Sequence, residues 1–173
     1  ANRVGAGDAG AAYGRVAAGL GKAEAAGAAV AASPGQAAAA GEIVISMLPA
    51  GAHVREVYMG RGGVIAAAGE GTLLIDCSTI DVETARAVTS AAAEASLAML
   101  DAPVSGGVAG AEAGILTFIV GGGEEAFARA APALGGMGGT ILPPGPAGTG
   151  PTAPLPHNPL LRPPPLALSA PAS

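Results

Sequence analysis

Ser105-Gly106-Gly107, after Asp101-Ala102-Pro103-Val104, combines a hydroxyl with two glycines. Such a run exposes successive backbone N–H groups that can cradle a carboxylate or a phosphate, although the same residues also make a plain flexible link between a strand and a helix. Gly5-Ala6-Gly7-Asp8-Ala9-Gly10 fits the spacing G-x-G-x-x-G. Glycines so placed allow a tight turn and close approach of the backbone to a pyrophosphate. That chemistry needs a strand before the glycines and an acidic ribose ligand about 20 residues after them. Only Ala1 to Val4 precede the motif, no such acidic residue follows, and a chance match among 29 glycines stays open. Asp76 and Asp101 could share acid–base work or simply cap loops. His53 and His157 have no Ser, Cys or Asp arrangement of the triad kind and read as boundary residues. Cys77, inside an apolar run, reads as a small buried residue with nothing near it to depress its pKa.

These residues need a frame, and the chain offers one between about residues 27 and 139. Apolar runs at 42–49, 72–78, 96–101 and 116–120 are each closed by a proline, small polar residues or glycines. Unbroken apolar runs of this length read as strands covered on both faces. Helix-compatible stretches lie between them at 53–58, 82–94 and 124–134. Strands alternating with helices predict an α/β fold with a parallel, doubly wound sheet and flanking helices, because parallel neighbours need crossover connections. In such sheets ligands bind beyond the carboxyl ends of the strands. The turns at Leu48-Pro49, Ser78-Thr79 and Ser105 to Gly107 should therefore share one edge.

Composition narrows the function classes. The chain has 173 residues, 50% hydrophobic and only 12% charged, with a net charge of -5. Its scattered basic residues provide no stripe for a nucleic acid. A single cysteine and the absence of Cys/His clusters exclude an internal disulfide and predict no metal site. No apolar run approaches the roughly 20 residues of a bilayer span, and the start lacks a signal-peptide pattern. A soluble, cytoplasmic protein with no membrane partner is expected. Up to about residue 27 the chain is Ala- and Gly-rich with little periodicity. From Pro143 onward it holds eleven of the fifteen prolines and one charge, Arg162. Residues 1–142 are therefore expected to form one folded unit, which the resemblance described next makes an incomplete dinucleotide-binding domain, and 143–173 an irregular Pro-rich tail.

Four segments in order, 45–51, 74–80, 101–108 and 114–122, resemble the β-hydroxyacid dehydrogenases over about residues 27–150. The resemblance implies a Rossmann-type domain followed by a helical domain, and oxidation of a small β-hydroxyacid with NAD, or NADP. Tartronate and succinic semialdehyde reductases share these loop motifs. The resemblance further implies that Leu48 and Pro49 pack against the cofactor, that Thr79 stands beside the nicotinamide ribose, and that Ser105, Gly106 and Gly107 hold the substrate carboxylate. Gly5, Gly7 and Gly10 would be the cofactor loop, with a deletion behind them, or a coincidence in a chain that starts near the second strand. The family's G-x-G-x-x-x-K-x-x-N-N places its acid–base lysine at Pro154 and its substrate-orienting asparagine at Asn158, with His157 between. Lys22 is the one lysine of the chain, and a proline exchanges no proton, so no catalytic residue is expected. After Leu161 the likeness stops, and no counterpart of the helical domain through which the family dimerises is expected. The change of composition inside a matched motif reads as a shifted reading frame or a degraded gene end.

Overall fold

The computed structural model describes residues 10–39 and 41–144. In chain order its elements are β1 (Ala11–Ala12), α1 (Ala17–Ala25), β2 (Ala29–Val30), α2 (Pro34–Ala39), β3 (Ile43–Ser46), α3 (Gly51–Met59), α4 (Val64–Ala67) and β4 (Leu73–Asp76). They continue with α5 (Val82–Glu94), β5 (Ala98–Asp101), β6 (Val104–Ser105), α6 (Gly107–Ala113), β7 (Leu116–Ile119), α7 (Glu124–Gly135) and β8 (Gly138–Leu142).

All of β4 is buried. Its Leu-Leu-Ile run has no polar face to turn to water, so it is stable only with cover on both sides. β3 and β5 flank it in parallel, with Ser46, Asp76 and Asp101 level at the carboxyl ends. Side chains then alternate between two cores. Leu73 and Ile75 join Leu100, Leu116, Phe118, Ala130 and Leu134 on the side covered by α7. Leu74 and Met99 meet Val54, Tyr58, Val88 and Ala92 of α3 and α5 on the other. Each fully buried Leu or Ile contributes about 1.5–3 kcal/mol, which sets this part of the chain as the stable frame.

The start of α5 follows the expected boundary because Asp81 caps it, its carboxylate accepting from the Thr84 N–H at 2.8 Å. The expected parallel sheet is present in β3-β4-β5. The apolar run at 116–120 departs from expectation. β7 pairs antiparallel with β6 and parallel with β8 in a second sheet, joined to β5 by an antiparallel bridge between Asp101 and Gly121. The seven-residue α6 and the left-handed Gly114 that return the chain are shorter than the dozen or more residues a parallel crossover takes. The return is therefore antiparallel.

Residues before 27 also depart from expectation. β1 and β2 form a parallel pair around α1, a strand–helix–strand unit with no buried residue in its helix. Alanine forms helix by intrinsic preference, so α1 needs no apolar stripe and leaves no period in the sequence. Residues 145–173, where the Pro-rich tail is expected, lie outside the described residues. No helix among the described residues is long and apolar enough to cross a membrane.

Candidate functional site

The turns that follow β3 and β4 are held together. The Leu48 N–H donates to Ser78 Oγ at 2.8 Å, across two strands. Leu48 is half-buried, whereas Pro49 and Thr79 are exposed. Beneath them lies a polar relay in the core. Asp76, 2% exposed, accepts at Oδ1 from Ser46 Oγ at 2.7 Å, from Ser78 Oγ at 2.6 Å and from the Ser78 N–H at 3.3 Å. Ser46 Oγ also lies 2.7 Å from the Tyr58 hydroxyl. Three donors on one oxygen are the compensation a buried carboxylate requires.

The field of that carboxylate reaches its neighbours. Burial first, and the Asp76 charge second, push the Tyr58 phenol far above its ordinary value. Burial, then Asp76 and Asp101, push the Cys77 thiol up to about 12, so it is an inert core residue, as its apolar run implies. Asp101, beside Asp76 on the next strand, is pushed up to about 6, by burial and then by the Asp76 charge. It therefore remains partly protonated at mildly acid pH, which no sequence spacing shows.

α3 begins directly behind the Leu48-Pro49 turn. Its cap position, Ala50, has no side chain to occupy the first-turn N–H groups. A Cβ on Gly51 would stand 2.8 Å from Asp81 Oδ2, so the starts of α3 and α5 meet with only a glycine's width between them. Arg55 of α3 donates from Nε to Thr84 Oγ1 at 3.3 Å. His53 is half-buried, with Nδ1 enclosed and without a hydrogen-bond partner.

Ser105 ends β6 opposite Thr117, and Gly106 and Gly107 turn the chain into α6. Their φ angles of 133° and 60° are open to glycine and rarely to other residues. Serine and both glycines are exposed. The strand-to-helix link expected of this run is present. Gly10 stands immediately before β1, not after it, so the order of strand and glycine that the fingerprint requires is reversed there. The link between β1 and α1 is Tyr13-Gly14-Arg15-Val16, with Val16 at the cap and no side-chain cap bond. Gly5, Gly7, Pro154, His157 and Asn158 lie outside the described residues. No group of three or more His, Cys, Asp or Glu among the described residues could hold a metal.

Fit to a dinucleotide is therefore one-sided. The exposed turns after β3 and β4, with an uncapped helix start behind them, lie at the carboxyl ends of the strands, where ligands of open α/β sheets bind. Among the described residues no G-x-G-x-x-G turn follows a strand and opens a helix. Ser46 and Tyr58 were missed by sequence reasoning, and Ser78 was named only as part of a turn. Their signal was positional, since Ser46 and Asp76 stand level at strand ends and Ser78 repeats the Asp76 side two residues on.

The NAD binding domain of 6-phosphogluconate dehydrogenase is the family description that matches residues 1–145. The chain is 56% identical over 119 residues to a 3-hydroxyisobutyrate dehydrogenase of Pseudomonas aeruginosa, a match covering 69% of this chain and 40% of that protein. An NAD-dependent L-serine dehydrogenase of the same organism is 51% identical, with the same coverage of 69% and 40%. The solved structure of Mycobacterium tuberculosis 3-hydroxyisobutyrate dehydrogenase with L-serine superposes with a TM-score of 0.77 at 45% identity, covering 82% of this chain and 47% of that one. The chain thus spans about two-fifths of the length of the curated relatives it matches.

Proposed function

Because the chain belongs to the family of the NAD binding domain of 6-phosphogluconate dehydrogenase, we propose that it is the cofactor-binding part of a 3-hydroxyisobutyrate dehydrogenase type of oxidoreductase. The observation that carries this reading is the hydrogen bond joining the Leu48 and Ser78 turns at the strand ends, in a chain 56% identical to such an enzyme over 119 residues. Leu48, Pro49 and Thr79 would hold the nicotinamide end of NAD or NADP. When bound, the cofactor supplies a hydride acceptor. Ser105, Gly106 and Gly107 would offer backbone donors and a hydroxyl to the carboxylate of the β-hydroxyacid. The overall reaction proposed is 3-hydroxyisobutyrate to methylmalonate semialdehyde, a step of valine breakdown in the cytoplasm.

A second reading, cofactor binding without turnover, is favoured by the lysine count. The one lysine, Lys22, is exposed on α1 and lies 3.7 Å from Glu112. No lysine amine therefore stands at the described strand ends to exchange the proton of the substrate hydroxyl, and such assistance is typically worth about 10²- to 10⁴-fold in rate. Titration with NADH and NADPH by fluorescence, followed by absorbance assays with 3-hydroxyisobutyrate and L-serine, tests both readings. Binding with turnover supports the enzyme, and binding without turnover supports the second reading. Failure of both nucleotides to bind would remove the proposal.

A further inference from the structure

The proton inventory of the relay under the strand ends gives it a direction. Ser46 and Ser78 each own one hydroxyl proton, and both give it to Asp76 Oδ1. Ser46 Oγ can therefore only accept from Tyr58, and Ser78 Oγ is left with lone pairs, one of which receives the Leu48 N–H. The order is Tyr58 to Ser46 to Asp76 on one side, and Leu48 to Ser78 to Asp76 on the other. We propose that Asp76 is a positioning residue: by fixing the Ser78 hydroxyl as an acceptor for Leu48, it locks the Leu48-Pro49 turn to the Ser78-Thr79 turn.

Several observations make the carboxylate more than a filled space. It is 2% exposed, and no ion pair among the described residues reaches it. A buried charge without a cation is retained at a cost unless its donors are placed for it. Here all three donors come from the ends of β3 and β4, the two strands whose turns meet. The Leu48 N–H is also the last donor before Pro49, which has none. Without an acceptor at Ser78, no other hydrogen bond among the described residues ties that peptide to β4, whereas the strand ladder ends at Cys77 N–H to Ser46 O, 2.8 Å. An apolar or freely rotating residue at 78 would leave the two turns to move independently.

This inference rests on the proposed cofactor reading for its functional consequence, but its structural part is separately testable. Amide hydrogen exchange at Leu48 would be compared with that at Leu100, a buried strand residue that makes none of the relay's hydrogen bonds, in the full chain and in Ser78→Ala, Asp76→Ala, Asp76→Asn and Val88→Ala. Val88→Ala lowers stability through the core without touching the relay. Exchange at Leu48 relative to Leu100 should rise at least about 10-fold in Ser78→Ala and Asp76→Ala, the factor that goes with one lost hydrogen bond. It should stay within about 3-fold of the parent in Asp76→Asn, whose amide oxygen still accepts, and in Val88→Ala. NADH affinity should weaken by about 10-fold in Ser78→Ala and stay near the parent value in Asp76→Asn. Unchanged relative exchange in Ser78→Ala would overturn the positioning role, whatever Asp76→Ala does to folding. Failure of the parent chain to bind NADH would instead count against the cofactor reading alone. A loss of affinity in Val88→Ala as large as in Ser78→Ala would reduce Asp76 to a structural residue.

Discussion

Asp101 sits level with Asp76 at the end of β5, and its carboxyl is pushed from 3.8 up to about 6 by burial and by that neighbouring charge. In the unfolded chain the group returns to its ordinary value, so the folded state holds this proton more tightly. A raised carboxyl contributes stability that is fully present below about pH 4 and lost as pH rises through about 6. The difference of about 2 pH units, at 1.36 kcal/mol each, sets an upper value of about 3 kcal/mol, reduced by the water that reaches this half-buried side chain. Asp101→Asn cannot ionise and removes both the repulsion and its pH dependence. Urea unfolding of parent and variant at steps between pH 5 and 8 measures it, with midpoints compared at equal slope. The variant should gain on the parent as pH rises, by up to about 1.4 kcal/mol between pH 5 and 8, since the rest of the effect is already present at pH 5. A constant difference across that range, or a parent that gains on the variant toward pH 8, would refute the account of two facing carboxylates.

Other expectations follow from single contacts. Gly122→Ala should lower stability by about 2 kcal/mol or more, because φ there is 139° and the new methyl would stand 2.5 Å from Leu100 Cδ2; thermal unfolding measures the loss. Cys77, 4% exposed with its thiol pushed up to about 12, should resist a thiol-labelling reagent at pH 8 until urea unfolds the chain. Asp81, held below the usual carboxylate range chiefly by the Thr84 N–H, supports α5 in its ionised form. That support is present at neutral pH and lost on acidification through the lowered value, so Asp81→Ala should reduce the melting temperature at pH 7 and reduce it less near pH 3.

The central strands were legible because apolar runs bounded by Pro49, Pro103 and small polar turns leave little choice of state, and 82–94 was legible as the helix-compatible stretch between two of them. Leu48 and Ser78 were legible as turns and not as partners, since a contact between two loops thirty residues apart leaves no period along the chain. The antiparallel return of β7 was hidden for a different reason. A short apolar run carries no sign of its direction, which is set by the length of α6 and the left-handed turn at Gly114. α1 was hidden by its own composition, because alanine forms helix without needing a buried face.

The separation of β1-α1-β2 from the three-stranded sheet divides the molecule into two tiers of cooperativity. Around β4 the large fully buried side chains interlock across both faces, and loss of one contact costs the others. The first unit contributes small residues such as Ala28 and Ala31 to burial, and the exposed pairs Arg15–Glu56 and Lys22–Glu112 span it to the rest. Exposed pairs of this kind are worth about 0–1 kcal/mol and weaken with salt. Opening of residues 10–32 therefore takes less free energy than opening of the sheet, and one unfolding midpoint does not describe the whole chain. Proteases should find Arg15 and Lys22 before any site between β3 and β8, and should find them sooner at high ionic strength.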